Sequence, residues 1–111
     1  MIARIWRGGT RLEDAQGYVE YIERTGLAAY RATPGNLGAW LLWQRAGELA
    51  RFVTVSLWRD EAAIRAFAGD DIGRAVFYPE DDRFLVEREL RVEHYHAIGG
   101  DGPASGGGGA G

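Results

Sequence analysis

His94 is the side chain of this sequence best suited to moving a proton. It follows Leu90 and Val92 at alternate positions of a strand-like run, which places it on the apolar side of that strand. An imidazole in such a place titrates near neutrality and can serve as a general base or a hydrogen-bond donor at the floor of a pocket. The plainer alternative is a core histidine satisfied by one backbone carbonyl or tyrosine. Arg4 and Glu93 can pair across neighbouring strands. That pair would set the register of an interface, or Arg4 would hold an anionic or quinone oxygen. Trp6, Trp40, Trp43 and Trp58 offer flat apolar surface with one donor each, for stacking on an aromatic ligand or for the core of an interface. Tyr78, just before Pro79, is either a phenol aimed into a pocket or a packed helix end.

Other chemistries lack their residues. There is no cysteine and no lysine, which removes thiolate and Schiff-base catalysis. Gly8-Gly9-Thr10 lacks the lysine and spacing of a phosphate loop. His94 and His96 share a strand face, but no carboxylate stands at ligand spacing, so no metal is expected. Ser56 and Ser105 have no histidine–acid relay. A net charge of -3 provides no basic stripe for nucleic acid. With 111 residues, 46% hydrophobic and 26% charged, the chain reads as one soluble domain. It has no apolar run of membrane-spanning length and no secretion-signal layout, so a cytoplasmic protein is expected.

The elements that must position these groups follow from pattern. Residues 2–7 alternate as a strand. Thr10-Arg11-Leu12-Glu13 reads as a capping box opening a helix whose apolar face holds Ala15, Tyr18, Val19, Ile22 and Leu27, with Gly26 ending or kinking it. Thr33-Pro34-Gly35-Asn36 is a turn. Strands over 37–45 and 49–58 form a hairpin. Asp60 caps a second helix containing Ala63, Ile64 and Phe67, and 72–77 reads as a further short helix. A loop over 78–82 and a strand over 89–97 complete a domain spanning 1–98. Residues 99–111, mostly glycine, are expected to be a disordered tail. The order β-α-β-β-α-β is the split βαβ, ferredoxin-like pattern. It is an α+β fold with a four-stranded antiparallel sheet, expected strand order 4-1-3-2 and both helices on one face.

Alternation divides the central strands into two sets. Arg4, Trp6, Thr54, Ser56, Trp58, Glu93 and Tyr95 share one face; Ala3, Ile5, Val53, Val55, Leu57, Leu90, Val92 and His94 share the other. The second set is the more apolar, and on that ground it is assigned to the helices. Both faces carry large side chains while the helices suffice for only one. The second cover is therefore expected to be another copy of the chain, giving a homodimer with an enclosed interior.

Met1-Ile2-Ala3-Arg4-Ile5-Trp6-Arg7, Thr33-Pro34-Gly35-Asn36, Ser56-Leu57-Trp58 leading into Ala63-Ile64-Arg65-Ala66-Phe67, and the closing Glu93-His94-Tyr95 resemble the antibiotic biosynthesis monooxygenase family of dimeric α+β barrels. The resemblance covers residues 1–98. It implies two sheets facing each other as a barrel, and a pocket in each subunit between helices and sheet. Haem-degrading relatives place a histidine where Phe77 stands and an asparagine where Trp6 or Arg7 stands, which argues against haem chemistry. Quinone-forming relatives use asparagine, tryptophan, tyrosine and arginine; Trp58, Tyr78 and Arg4 supply three of these types. The resemblance implies a monooxygenase that needs no cofactor and oxidises an electron-rich aromatic. His94 would be its proton acceptor, Arg4 or Tyr78 would hold the oxyanion, and Trp6, Trp58, Phe67 and Phe77 would form the substrate wall. The alternative is a non-catalytic dimeric barrel binding a small hydrophobic ligand.

Overall fold

The computed structural model describes residues 1–99, so the glycine-rich tail from residue 100 onward lies outside the described residues. Strand β1 (Ile2–Arg11) leads through a single tight turn into α1 (Ala15–Ile22). A widened turn over Glu23–Leu27 separates α1 from α2 (Ala28–Ala32), where Gly26 was expected to break the helix. The hairpin β2 (Asn36–Ala46) and β3 (Leu49–Trp58) follows, then α3 (Glu61–Ala68), the one-turn α4 (Asp81–Phe84), and β4 (Leu85–Arg88) and β5 (Glu93–His96). The sheet is antiparallel in the order β2-β3-β1-β4, with β5 also on β1. This is the expected split βαβ arrangement, its outer strand broken in two; the β4 piece was not anticipated from the sequence.

Local chemistry accounts for most element ends. The Asp60 carboxylate accepts from the Ala63 amide at 2.9 Å and caps α3. Gly35 takes the positive φ of 91° that the turn before β2 demands. Two expectations fail. Thr10 is no helix cap: β1 runs through it, it is fully buried, and its hydroxyl donates to the Arg11 carbonyl. Ladder pairing of Gly8 to Thr10 with both β3 and β4 outcompetes the cap. Nor do residues 72–77 form a helix. The chain between α3 and α4 is irregular, because its polar groups go to the sheet edge: the Ala75 amide donates to Leu90 and the Val92 amide to Gly73.

The assignment of sheet faces is reversed. Phe52, Thr54, Ser56 and Trp58 of β3, with Arg4 and Trp6 of β1, are all buried, and they join Tyr18, Ile22, Leu27, Tyr30 and Ile64 of the helices in one core. On the other face none of Ala3, Ile5, Trp40, Leu42, Val53, Val55 or Leu57 is buried. The parity of the last strand also differs from expectation. Arg4 stands opposite His94 and Ile5 opposite Glu93, and residues directly opposite share a face. His94 therefore faces the helices as expected, but beside Arg4. Glu93 lies on the open face, bonded to Arg7 and to the Tyr95 hydroxyl, so the expected Arg4–Glu93 pair does not form. A one-residue slip in pairing moves a whole strand to the other face.

Candidate functional site

Between the helices and the covered face lies a cavity of about 30 Å³, room for about one water. Trp6 and Thr54 form its floor on the sheet; Tyr18, Ile22 and Gly26 line it from α1 and the widened turn. Tyr30 and Phe67 close one side, and Val76, Phe77 and Tyr78 of the irregular segment, with Asp81 at the start of α4, close the other. Of the seven residues expected at the site, Trp6, Phe67, Phe77 and Tyr78 line this cavity. Trp58 lies one layer behind, packed on Tyr30 and Phe67 with ring centroids at 6.0 and 5.6 Å, its indole donating to the Ser56 hydroxyl at 2.9 Å. Trp6 folds back over Gly8, where any side chain would collide with the indole, and donates to the Glu89 carbonyl at 2.8 Å.

Arg4 and His94 stand off the cavity wall. Arg4 is 2% exposed, and its guanidinium donates to the carbonyls of Ile72 at 2.5 Å and Arg74 at 3.0 Å. The Nη1 of Arg4 lies 3.1 Å from the Nε2 of His94, and its Cζ lies 5.7 Å from the centre of the Phe67 ring. Among the described residues no carboxylate pairs with this buried cation, and its Nε has no partner. Burial pulls the Arg4 pKa down, against the opposing pull of Tyr30. His94 is likewise held below its ordinary pKa, by burial first and by Arg4 second. The arrangement suits a neutral imidazole whose Nε2 lone pair accepts from Arg4, with the proton on Nδ1.

Asp81 escaped the sequence reading, which placed it in an acidic loop. It is 3% exposed; Oδ2 accepts from the Tyr78 amide at 2.6 Å, while Oδ1 is buried without a hydrogen-bond partner among the described residues. The Tyr21 hydroxyl lies close enough to favour the carboxylate, yet neither group makes a bond of normal geometry to the other. Burial dominates and raises the pKa of Asp81; the Tyr78 amide, Tyr21 and Arg88 oppose that rise. Burial also pushes Tyr21 up to about 12 and raises Tyr78. The one signal for Asp81 in the sequence was its spacing from Tyr78, three residues, which lets an aspartate fold back onto a preceding amide. Glu80 and Asp82 flank it with the same charge and are exposed.

No protein-family profile and no curated sequence matches the chain. In fold it is similar to a protein of Nitrosomonas europaea provisionally named an antibiotic biosynthesis monooxygenase, with TM-score 0.63 and 16% identity over 88% of this chain and 99% of that one. A Bacillus cereus protein given the same provisional name matches with TM-score 0.64 and 13% identity over 92% and 95%. The haem-degrader MhuD of Mycobacterium tuberculosis, which carries two haems in its active site, matches with TM-score 0.56 and 20% identity over 92% and 100%. At these identities the likeness is one of fold.

Proposed function

We propose that the chain is a cofactor-independent monooxygenase of the antibiotic biosynthesis monooxygenase family, acting as a cytoplasmic homodimer on an electron-rich aromatic of phenol, anthrone or quinol type. The observation that carries this reading is the aromatic cavity between helices and sheet, walled by Trp6, Phe67, Phe77 and Tyr78. Arg4 stands behind Phe67 as a buried cation with no carboxylate partner among the described residues. Loss of a proton turns an anthrone-type ring into an enolate, which reduces dioxygen directly. The methylene carbon loses both hydrogens and gains one oxygen atom, and the second oxygen leaves as water. No external reductant is consumed. The protein contributes desolvation and fixed dipoles for the enolate oxygen.

In this reading the Tyr78 phenol holds the oxyanion, and the buried Arg4 cation behind Phe67 favours that negative charge through its field rather than by contact. His94, expected from the sequence to take the proton, serves Arg4 instead: its Nε2 accepts from Nη1 and orients the fork. A ring needs more room than about 30 Å³, so binding moves the side chains of Phe77 and Tyr78 on the irregular segment between α3 and α4. Haem does not fit the lining. No histidine faces the cavity among the described residues, and Phe77 stands in its wall at the position that the resemblance matches to the haem-ligating histidine.

The open face of the sheet, with Ile5, Val53, Val55 and Leu57 at its centre, is the proposed contact between the two copies. Oxygen uptake by metal-stripped protein with hydroquinones and anthrones, corrected for autoxidation, tests the activity. Protein-dependent uptake with the matching quinone as product is expected. No uptake, together with ligand quenching of the tryptophans, would put a non-catalytic hydrophobic-ligand carrier in its place.

A further inference from the structure

Asp60 shows what a carboxylate needs in order to cap a helix: it does so from an exposed position, with Arg59 beside it. Asp82 is exposed and paired with Arg88. Asp81 does a similar backbone task for Tyr78 but is buried, at a cost no turn requires. Asp81 belongs to the wall of the aromatic cavity, and its Oδ1 is buried with no hydrogen bond of normal geometry among the described residues, the Tyr21 hydroxyl lying close to the carboxylate. The groups facing it are Tyr18 and Tyr21 of α1, Tyr78 of its own segment, Arg88 of β4 and Asp82. Arg88, the one cation among them, is drawn away by Asp82 at 2.6 Å and by the Phe77 ring at 4.8 Å.

We infer that Asp81 is the proton acceptor of the cavity, its Oδ1 taking the acidic O–H or benzylic C–H proton of an aromatic ligand seated against Trp6, Phe77 and Tyr78. The inference rests on the proposed ligand class but not on the oxygen step. In the transfer the ligand O–H or C–H bond breaks and its electron pair stays on the ligand as phenolate or enolate. An O–H bond forms at Oδ1, and nothing is oxidised or reduced. The Tyr78 amide fixes Oδ2, and the Tyr21 hydroxyl, close enough to favour the carboxylate, lies beside the new carboxylic acid. Burial, by raising the carboxyl pKa, makes it a stronger base than an exposed aspartate.

Asp81→Asn keeps an oxygen for the Tyr78 amide and removes the base. Anthrone, added without oxygen at a pH where the free compound is neutral, reports binding through tryptophan quenching and deprotonation through the enolate absorbance. Wild type is expected to bind it as the enolate and Asp81→Asn to bind it neutral. In air the variant should lose about 100-fold or more in uptake. An enolate in both proteins, a neutral ligand in both, or no binding to wild type overturns the inference. An anaerobic enolate without aerobic uptake would sink the oxygenase reading alone. Should the variant fail to fold, the carboxyl carbon resonance of Asp81 in wild type decides: it moves to its protonated position when anthrone binds, and an unmoved signal overturns the assignment.

Discussion

The two faces of one sheet have been given opposite solutions. The face under the helices carries Arg4, Thr54 and Ser56 among Trp6, Phe52 and Trp58, and all six are buried. The open face carries Ala3, Ile5, Val53, Val55 and Leu57, and none is buried. Ranked by apolar character alone, the open face would be the core. Two things outweigh that ranking: the large area each aromatic ring removes from water, and the partner the fold finds for most polar atoms. The Trp58 indole has the Ser56 hydroxyl, the Trp6 indole has the Glu89 carbonyl, and the Arg4 fork has two carbonyls and His94. Polarity inside the covered face is therefore no sign of exposure, and greasiness on the open face is no sign of core.

The sharpest way to break this comparison is to truncate one residue on each face. Trp58 is 0% exposed, so Trp58→Ala should cost the subunit about 3–5 kcal/mol, read from urea unfolding. It leaves a cavity beside Tyr30 and Phe67 and the Ser56 hydroxyl without its donor. On the open face, Val55→Glu should change the stability of the isolated subunit by only about 0.5 kcal/mol, as surface changes do. Its effect belongs to assembly: light scattering should show wild type as a dimer and the variant as a monomer. If Val55→Glu unfolded the subunit as Trp58→Ala does, the division of the faces would be wrong. A variant that stayed dimeric would move the interface elsewhere.

The order of elements was legible because each has a local cause: alternation in β1 to β3, the Asp60 cap, and the turn at Thr33 to Asn36. Parity was not. Nothing local says whether Glu93 or His94 lies opposite Arg4, since both choices give an acceptable pair and the answer is set by long-range pairing through the irregular segment. The same segment hid the site. Residues 72–77 carry helix-compatible side chains, yet their amides and carbonyls are taken by Arg4, Leu90 and Val92, which no local pattern reports. Four of the seven anticipated site residues line the cavity, because aromatic side chains near the sheet are drawn to its core. Asp81 was missed for the converse reason, being one of three consecutive acids with only its burial to distinguish it.

The smallest effect sharpens the comparison from within the covered face, where burial disfavours charge on two groups of opposite type. His94 is held below its ordinary pKa of 6.5, so in the folded protein it resists a proton that the unfolded chain accepts. As pH falls below about 6.5, the unfolded state binds more protons than the folded one, and stability falls with it. Asp81 has the reverse sign: its raised pKa means that the folded state keeps its proton longer, so stability declines as pH rises above the ordinary value of 3.8. The two contributions have opposite signs as pH falls, and removing the titrating group at residue 94 isolates the share of His94. Urea midpoints of wild type should therefore drop as pH is lowered from 7 through 6, and His94→Gln, which keeps an acceptor for Arg4 but cannot titrate, should flatten that slope. His94 is only partly buried, so the change will be modest. An unchanged slope in His94→Gln would mean that the imidazole is protonated equally in both states, and that the Nε2 contact with Arg4 does not hold it neutral.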